Sequence, residues 1–168
     1  IYGISLGFQC NIPVELINLN IKKNKKYGGN TCVFDLMVTN VDGIIKCINE
    51  NFANFFELNI NKDNYIYNNY NFYFNHESNV PNEHSLWNKE KWIEGPDHFV
   101  NNNFKNLKKR YQDRIKNFND YINDKDAIIF MIGLKYGGLP EQIKLDELKD
   151  ALINTYPNLK FKLYVLLK

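Results

Sequence analysis

Apolar positions divide the chain into short runs and helical stripes. Ile1 to Leu6 is a short apolar run ended by Gly7, the pattern of a buried first strand leading into a loop. Pro13 sits where a helix can start, because its fixed φ suits the first turn and its missing N–H is not needed there. Val14, Leu16, Ile17 and Ile21 supply an apolar face for that helix. Lys22 to Gly29 reads as a polar, basic turn ended by Gly28-Gly29. Thr31 to Val38 is apolar except for Asp35. Asp42 is placed to cap a helix whose inward stripe is Ile44 or Ile45, Ile48, Phe52 and Phe55. The strongest helical signal is Phe104, Leu107, Tyr111, Ile115, Phe118 and Ile122, with Lys105, Lys108, Lys109, Asp113 and Lys116 on the remaining faces. Ala127 to Ile132 and Phe161 to Leu167 are strand-like, Gly137 to Pro140 makes a turn, and Leu145, Leu148 and Leu152 predict a last helix before Pro157.

Between Leu58 and Phe99 neither period holds. Tyr65, Tyr67, Tyr70, Phe72, Tyr73 and Phe74 interleave with asparagine, and Pro81, Trp87, Trp92 and Pro96 come after them. So many aromatics seek burial, so this stretch is expected to wrap the domain and shape a pocket rim. Strands alternating with helices predict an α/β fold with a mostly parallel central sheet flanked by helices on both faces. A length of 168 residues with 44% hydrophobic composition suits one core, so residues 1–168 are expected to form one domain with 58–99 as an irregular aromatic-rich insertion.

Composition narrows the function classes. A net charge of +2 with 24% charged residues argues against a dedicated nucleic-acid binder or an acidic interaction module. Asparagine and lysine mixed with Ile, Tyr and Phe read as coding bias toward A and T rather than as a functional polar tract. The 3 cysteines, at 10, 32 and 47, cannot all pair and form no CxxC, which favours a reduced, intracellular, cytoplasmic protein. No apolar run reaches the roughly 20 residues of a membrane span. The sequence opens on Ile1 rather than Met, so it is read as trimmed, and whether a signal peptide or upstream domain was removed stays open.

Candidate chemistry gathers in Ser5-Leu6-Gly7-Phe8-Gln9-Cys10. Parallel sheets place ligands at the carboxyl ends of strands, where helix amino termini bring free N–H donors. A cysteine there has its thiolate stabilised, and backbone N–H groups from Gly7 to Cys10 could hold an oxyanion. The plain alternative for Cys10 is a small buried hydrophobe. Ser5 is a rival nucleophile with His98 as its base, although a backbone hydrogen bond within the loop accounts for it more simply. The 3 histidines, His76, His84 and His98, all lie in the irregular region, and spacing does not show which serves Cys10. Asp35, a carboxylate among Val33, Phe34, Leu36 and Met37, needs a partner: a histidine it orients, an arginine such as Arg114, or backbone donors. Arg114 is read first as pairing with a carboxylate and second as touching substrate. No HExxH, GxGxxG or P-loop is present, so no metal or other cofactor is expected; His76 and His84 with Glu77 or Glu83 make only a weak metal candidate.

These residues carry a family likeness. Ile4-Ser5-Leu6-Gly7-Phe8-Gln9-Cys10 resembles the opening of a family described as papain-like cysteine peptidases of unknown function (DUF1796). Val33-Phe34-Asp35-Leu36 matches its Pro-Phe-Asp-Trp box without the Pro and the Trp. Val38 to Cys47 and Asn51-Phe52 match the helix and the Asn-Phe segment downstream of that box. Tyr73-Phe74-Asn75-His76 matches its Phe-x-His site, and Tyr111, Arg114 and Phe118 its Tyr-x-x-Arg helix. The likeness spans residues 2 to 132. It implies Cys10 as nucleophile, His76 as base and Asp35 as orienting acid. It also implies a papain-like fold, with the cysteine on a long helix and the histidine on an antiparallel sheet, whereas the hydrophobic pattern predicts a parallel one.

The expected function is therefore a cysteine-dependent hydrolase or acyl transferase acting on a peptide, protein or small acyl substrate. Ser5, Gly7, Gln9 and Arg114 are expected in substrate-binding or structural parts, and neither nucleic acid nor membrane is expected as a partner. A non-catalytic binding domain is the main alternative, and a Ser5–His98 esterase the third.

Overall fold

The computed structural model describes residues 1–8, 10–80, 92–133 and 142–166. Its elements are β1 (Tyr2–Ser5), α1 (Ile12–Asn18), α2 (Val41–Asn49), β2 (Leu58–Ile60), β3 (Ile66–Asn68), α3 (Asn101–Asp124), β4 (Ile128–Gly133), α4 (Gln142–Thr155) and β5 (Phe161–Leu166). The fold is α/β, as the hydrophobic pattern predicts. Three strands form a parallel sheet in the order β1-β4-β5, with Ser5 opposite Met131 and Gly133 opposite Leu166. A separate antiparallel pair, β2-β3, stands beside it.

The central strand explains why both faces are covered. Successive side chains of β4 point to opposite faces. Phe130 packs on Phe118 of α3 and Phe161 of β5, while Met131 joins Ile12 and Leu16 of α1. Helix α1 lies close to the sheet: a Cβ on Gly3 would stand 2.9 Å from Leu16 Cδ2, and one on Gly133 2.8 Å from Ile12 Cδ1. Pro13 begins α1 as expected, but Val14 is exposed, so the apolar face of this short helix is Ile12 and Leu16 with Ile21 packed alongside.

The stretch expected to be irregular is partly ordered. Residues 58–68 fold as the β2-β3 hairpin, and Phe72 and Phe74 are core residues packed on Phe55 rather than rim residues. Asn68 holds the hairpin: its buried side chain accepts from Tyr70 N and Phe72 N and donates to Phe55 O. The cap of α2 is Asn40, which accepts Gly43 N–H at 2.6 Å and donates to Tyr70 O; Asp42 lies in the first turn. Phe52 and Phe55 fall beyond α2, where Asn51 and Phe52 turn the chain through positive φ, and still reach the core. Asparagine supplies many such positions: Asn20, Asn51, Asn64, Asn71, Asn102 and Asn103 all have positive φ, which asparagine tolerates better than most residues. The asparagines thus have conformational work beyond coding bias. The Gly137 to Pro140 turn, Pro81, Trp87 and Leu167 lie outside the described residues.

Candidate active site

The loop leaving β1 is shaped by its own hydroxyl. Ser5 is fully buried, and its Oγ accepts the Gly7 N–H at 2.9 Å. Gly7 and Phe8 come next at φ 83° and 85°. A Cβ on Gly7 would meet Thr39 Oγ1 at 2.5 Å, so both the backbone and the available space call for glycine. Thr39, also buried, accepts the Phe8 N–H at 2.7 Å and donates to Leu6 O at 3.1 Å. Cys10 then emerges exposed, just ahead of the Asn11 cap of α1, whereas Cys32 and Cys47 are buried. Burial pushes the Cys32 thiol up to about 12, with Lys22 opposing the shift, and raises the Cys47 thiol as well. Neither is a thiolate at neutral pH.

Thr39 has a neighbour with a matching task. Val38 exchanges both backbone hydrogen bonds with Tyr73, at 3.1 and 2.9 Å. One dipeptide therefore holds the Cys10 loop through Thr39 and the strand leading to His76 through Val38. Between them lies a cleft of about 330 Å³ lined by Cys10, Asn11, Leu36, Met37, Val38, Asn75 and His76. The structure thus brings Cys10 and His76 to one cleft with an apolar floor. A larger hollow of about 860 Å³ against β5 and α4 has no cysteine or histidine among the described residues of its wall.

The other candidates lie outside this pairing. Asp35 is buried; its Oδ2 lies 3.1 Å from Lys22 Nζ and accepts the Cys32 N–H at 2.8 Å, while Oδ1 has no hydrogen-bond partner among the described residues. Burial pushes its carboxyl up, and Lys22, the Cys32 N–H and Arg114 pull it back only in part. Its direct partner is thus Lys22, not Arg114, and no Cys–His–Asp triad is formed among the described residues. Arg114 Nη1 lies 3.5 Å from Glu77 Oε1, the carboxylate pairing expected of it. Glu77, its side chain fully buried, also receives Arg110 Nη1 at 2.9 Å and the Tyr111 hydroxyl at 3.3 Å, which anchors the residue after His76 to α3. Gly7 N–H and Phe8 N–H are taken by Ser5 and Thr39, so these two amides do not point to an oxyanion. Ser5 is sealed in its turn, and His98 lies against α3, where its carbonyl accepts from Asn106. Gln9, His84 and Glu83 lie outside the described residues.

Three residues, Asn11, Thr39 and Lys22, escape the sequence reading, and Glu77 entered it only as a weak metal candidate. Asn11 lines the cleft, and its Oδ1 is buried without a hydrogen-bond partner among the described residues. Thr39, Lys22 and Glu77 hold the walls. Glu77 is next to His76 in the chain, and a buried Asp35 requires a cation nearby, so adjacency and charge balance were the available signals for Glu77 and Lys22. Among the described residues no group of three or more His, Cys, Asp or Glu could hold a metal ion, and no helix is long and apolar enough to cross a membrane.

An α/β protein with an exposed cysteine and a histidine on one cleft agrees with the result of the family comparison. The family model described as "Putative papain-like cysteine peptidase (DUF1796)" matches residues 2–167, and the chain belongs to that family. The match includes α4 and β5, beyond the motifs visible in the sequence. Comparison with curated proteins and with solved structures finds no match in either set.

Proposed function

We propose that the protein is a cysteine-dependent hydrolase or acyl transferase in which Cys10 is the nucleophile and His76 the general base. The observation that carries this reading is that the exposed cysteine shares its cleft with a histidine whose position is fixed from two sides, by Val38–Tyr73 pairing and by Glu77. His76 takes the Cys10 thiol proton as Sγ attacks the acyl carbon, and returns it to the departing amine, alcohol or thiol. Water or a second nucleophile then gives a proton to His76 as it attacks the acyl carbon; the carbon–sulfur bond breaks and His76 returns the proton to Cys10 Sγ. The amide N–H of Cys10, for which no bond is formed among the described residues, is the backbone donor available to the developing oxyanion. Asp35 acts at a distance: by accepting the Cys32 N–H it shapes the turn that delivers Leu36 to Val38 to the cleft floor.

Alkylation of Cys10 by iodoacetamide at pH 7, with intact mass as the readout, tests the reading. Cys10 is expected to react faster than free glutathione and to slow about tenfold or more in His76→Ala, because the thiol loses the group that takes its proton. Equal rates in the two proteins, with no excess over glutathione, would overturn the proposal and leave a non-catalytic binding cleft.

A further inference from the structure

A second cavity, of about 690 Å³, adjoins the Cys10 cleft, and His76 and Leu36 belong to the walls of both. Its charge, over the described residues, is unbalanced. Arg110, Arg114 and Lys109 of α3 converge on it from one side, and Lys25, from a separate turn, reaches it from another. The carboxylate in the wall, Asp113, is tied to Lys109 at 3.3 Å. Like charges brought from different elements to one concavity repel, and a concave wall concentrates their field on whatever enters.

The arginines are also held still. Arg110 lies over the Phe99 ring at 4.5 Å and bonds to Glu77, while Arg114 lies over the Tyr111 ring at 4.7 Å, its Nη1 3.5 Å from Glu77 and without a hydrogen bond among the described residues. Stacked, paired guanidinium groups lose little freedom when a planar anion arrives, and their fork suits a carboxylate. Glu77 offsets part of the arginine charge and Asp113 part of the lysine charge, so the named cations still outnumber the named carboxylates and the residual field is positive.

We infer that this cavity receives a carboxylate of the substrate whose acyl group reacts at Cys10, so that the enzyme selects acidic peptides or acyl compounds bearing a second carboxyl group. The inference rests on the Cys10–His76 reading for its chemistry, but the anion site itself is measurable without it.

The experiment has two arms. In the first, N-chloroacetyl peptides that differ only in Glu against Gln alkylate Cys10, and intact mass gives the rates. The Glu probe is expected to react about fivefold faster at low ionic strength, with the preference lost in Arg110→Gln and at about 0.5 M NaCl, where exposed charges are screened. In the second, glutarate and inorganic phosphate are titrated while the side-chain amide resonances of Asn106 and Asn117 are monitored, both residues being in the cavity wall. Glutarate is expected to shift them, and Arg110→Gln to abolish the shift. Should Arg110→Gln fail to fold, Lys25→Gln and Lys109→Gln, on exposed lysines, are each expected to weaken both effects. Equal rates for the two probes with no glutarate shift would overturn the inference while leaving the cysteine chemistry intact. Phosphate binding tighter than glutarate would overturn the carboxylate assignment. A thiol inert to both probes beside a normal glutarate titration would overturn the catalytic reading and keep the anion site.

Discussion

Lys22 and Asp35 place opposite charges where almost no water reaches, with side-chain exposures of 4% and 3%. The ammonium also lies 5.4 Å from the centre of the Tyr2 ring and 4.0 Å from Cys32 Sγ. Desolvation still outweighs these contacts for Asp35, whose carboxyl titrates above its ordinary range. A folded-state value raised above the unfolded one gives stability that is fully present below the unfolded pKa and is lost as pH rises through the folded one. Removing only the cation exaggerates this. Lys22→Met is expected to cost about 3–5 kcal/mol at neutral pH, because a carboxylate is left buried without its partner. The deficit should shrink as pH falls into the carboxylate range, where Asp35 takes up a proton. The double change Lys22→Met with Asp35→Leu should recover most of the loss, since replacing a whole buried pair is often neutral. Urea unfolding of the three proteins from acid to neutral pH reads all of this; a pH-independent deficit would mean that Asp35 does not carry the effect. Only half of this pair was legible beforehand. Asp35 stands out among apolar neighbours, whereas Lys22 looks like one more lysine in a basic turn until the fold returns it to the core.

At the scale of elements, regular periodicity and tertiary stitching divided the chain. The stripes of α3 and α4 were readable from their helical period, and the strands β1 and β4 because, buried on both faces, they are nearly continuous apolar runs. The β2-β3 hairpin was not, because strands of three residues carry too little alternation and are held by Asn68 and Asn40 side chains. The same limit hides the clamp of Val38 and Thr39, which joins segments 31 and 35 residues distant in the chain. Cys10 and His76 could be named from local motifs, but the dipeptide that positions both could not. Thr39→Val tests the clamp. It leaves the Phe8 N–H without its acceptor in a part-buried place, so a stability loss of about 1–3 kcal/mol is expected. The more specific outcome is kinetic: Cys10 alkylation should lose most of its dependence on His76, while Thr39→Ser, which keeps the hydroxyl, retains it. If Thr39→Val leaves the His76 dependence untouched, the loop is held by other contacts.

Over the whole molecule, the sheet, α3 and the segment from Phe52 to Phe74 share one aromatic core, and Phe34 stands at their meeting point. Its ring contacts Phe52, Phe72 and Phe118 at centroid distances of 5.9, 5.8 and 5.8 Å, and it is fully buried. Phe118 in turn reaches Phe130 on the central strand. The irregular segment is therefore built into the core, and the cleft floor just after Phe34 inherits its position from that packing. Truncating Phe34 to Ala should cost about 3–5 kcal/mol, the range for a large buried aromatic that leaves a cavity. Because the rings belong to different elements, the loss should appear in a single cooperative transition seen equally by far-ultraviolet circular dichroism and by tryptophan fluorescence. Phe34→Leu fills part of the space and should recover part of the stability together with the His76-dependent reactivity of Cys10. Two separated transitions in Phe34→Ala would show instead that the segment from Phe52 to Phe74 unfolds as a unit of its own, and that the cleft joins two bodies rather than lying on one.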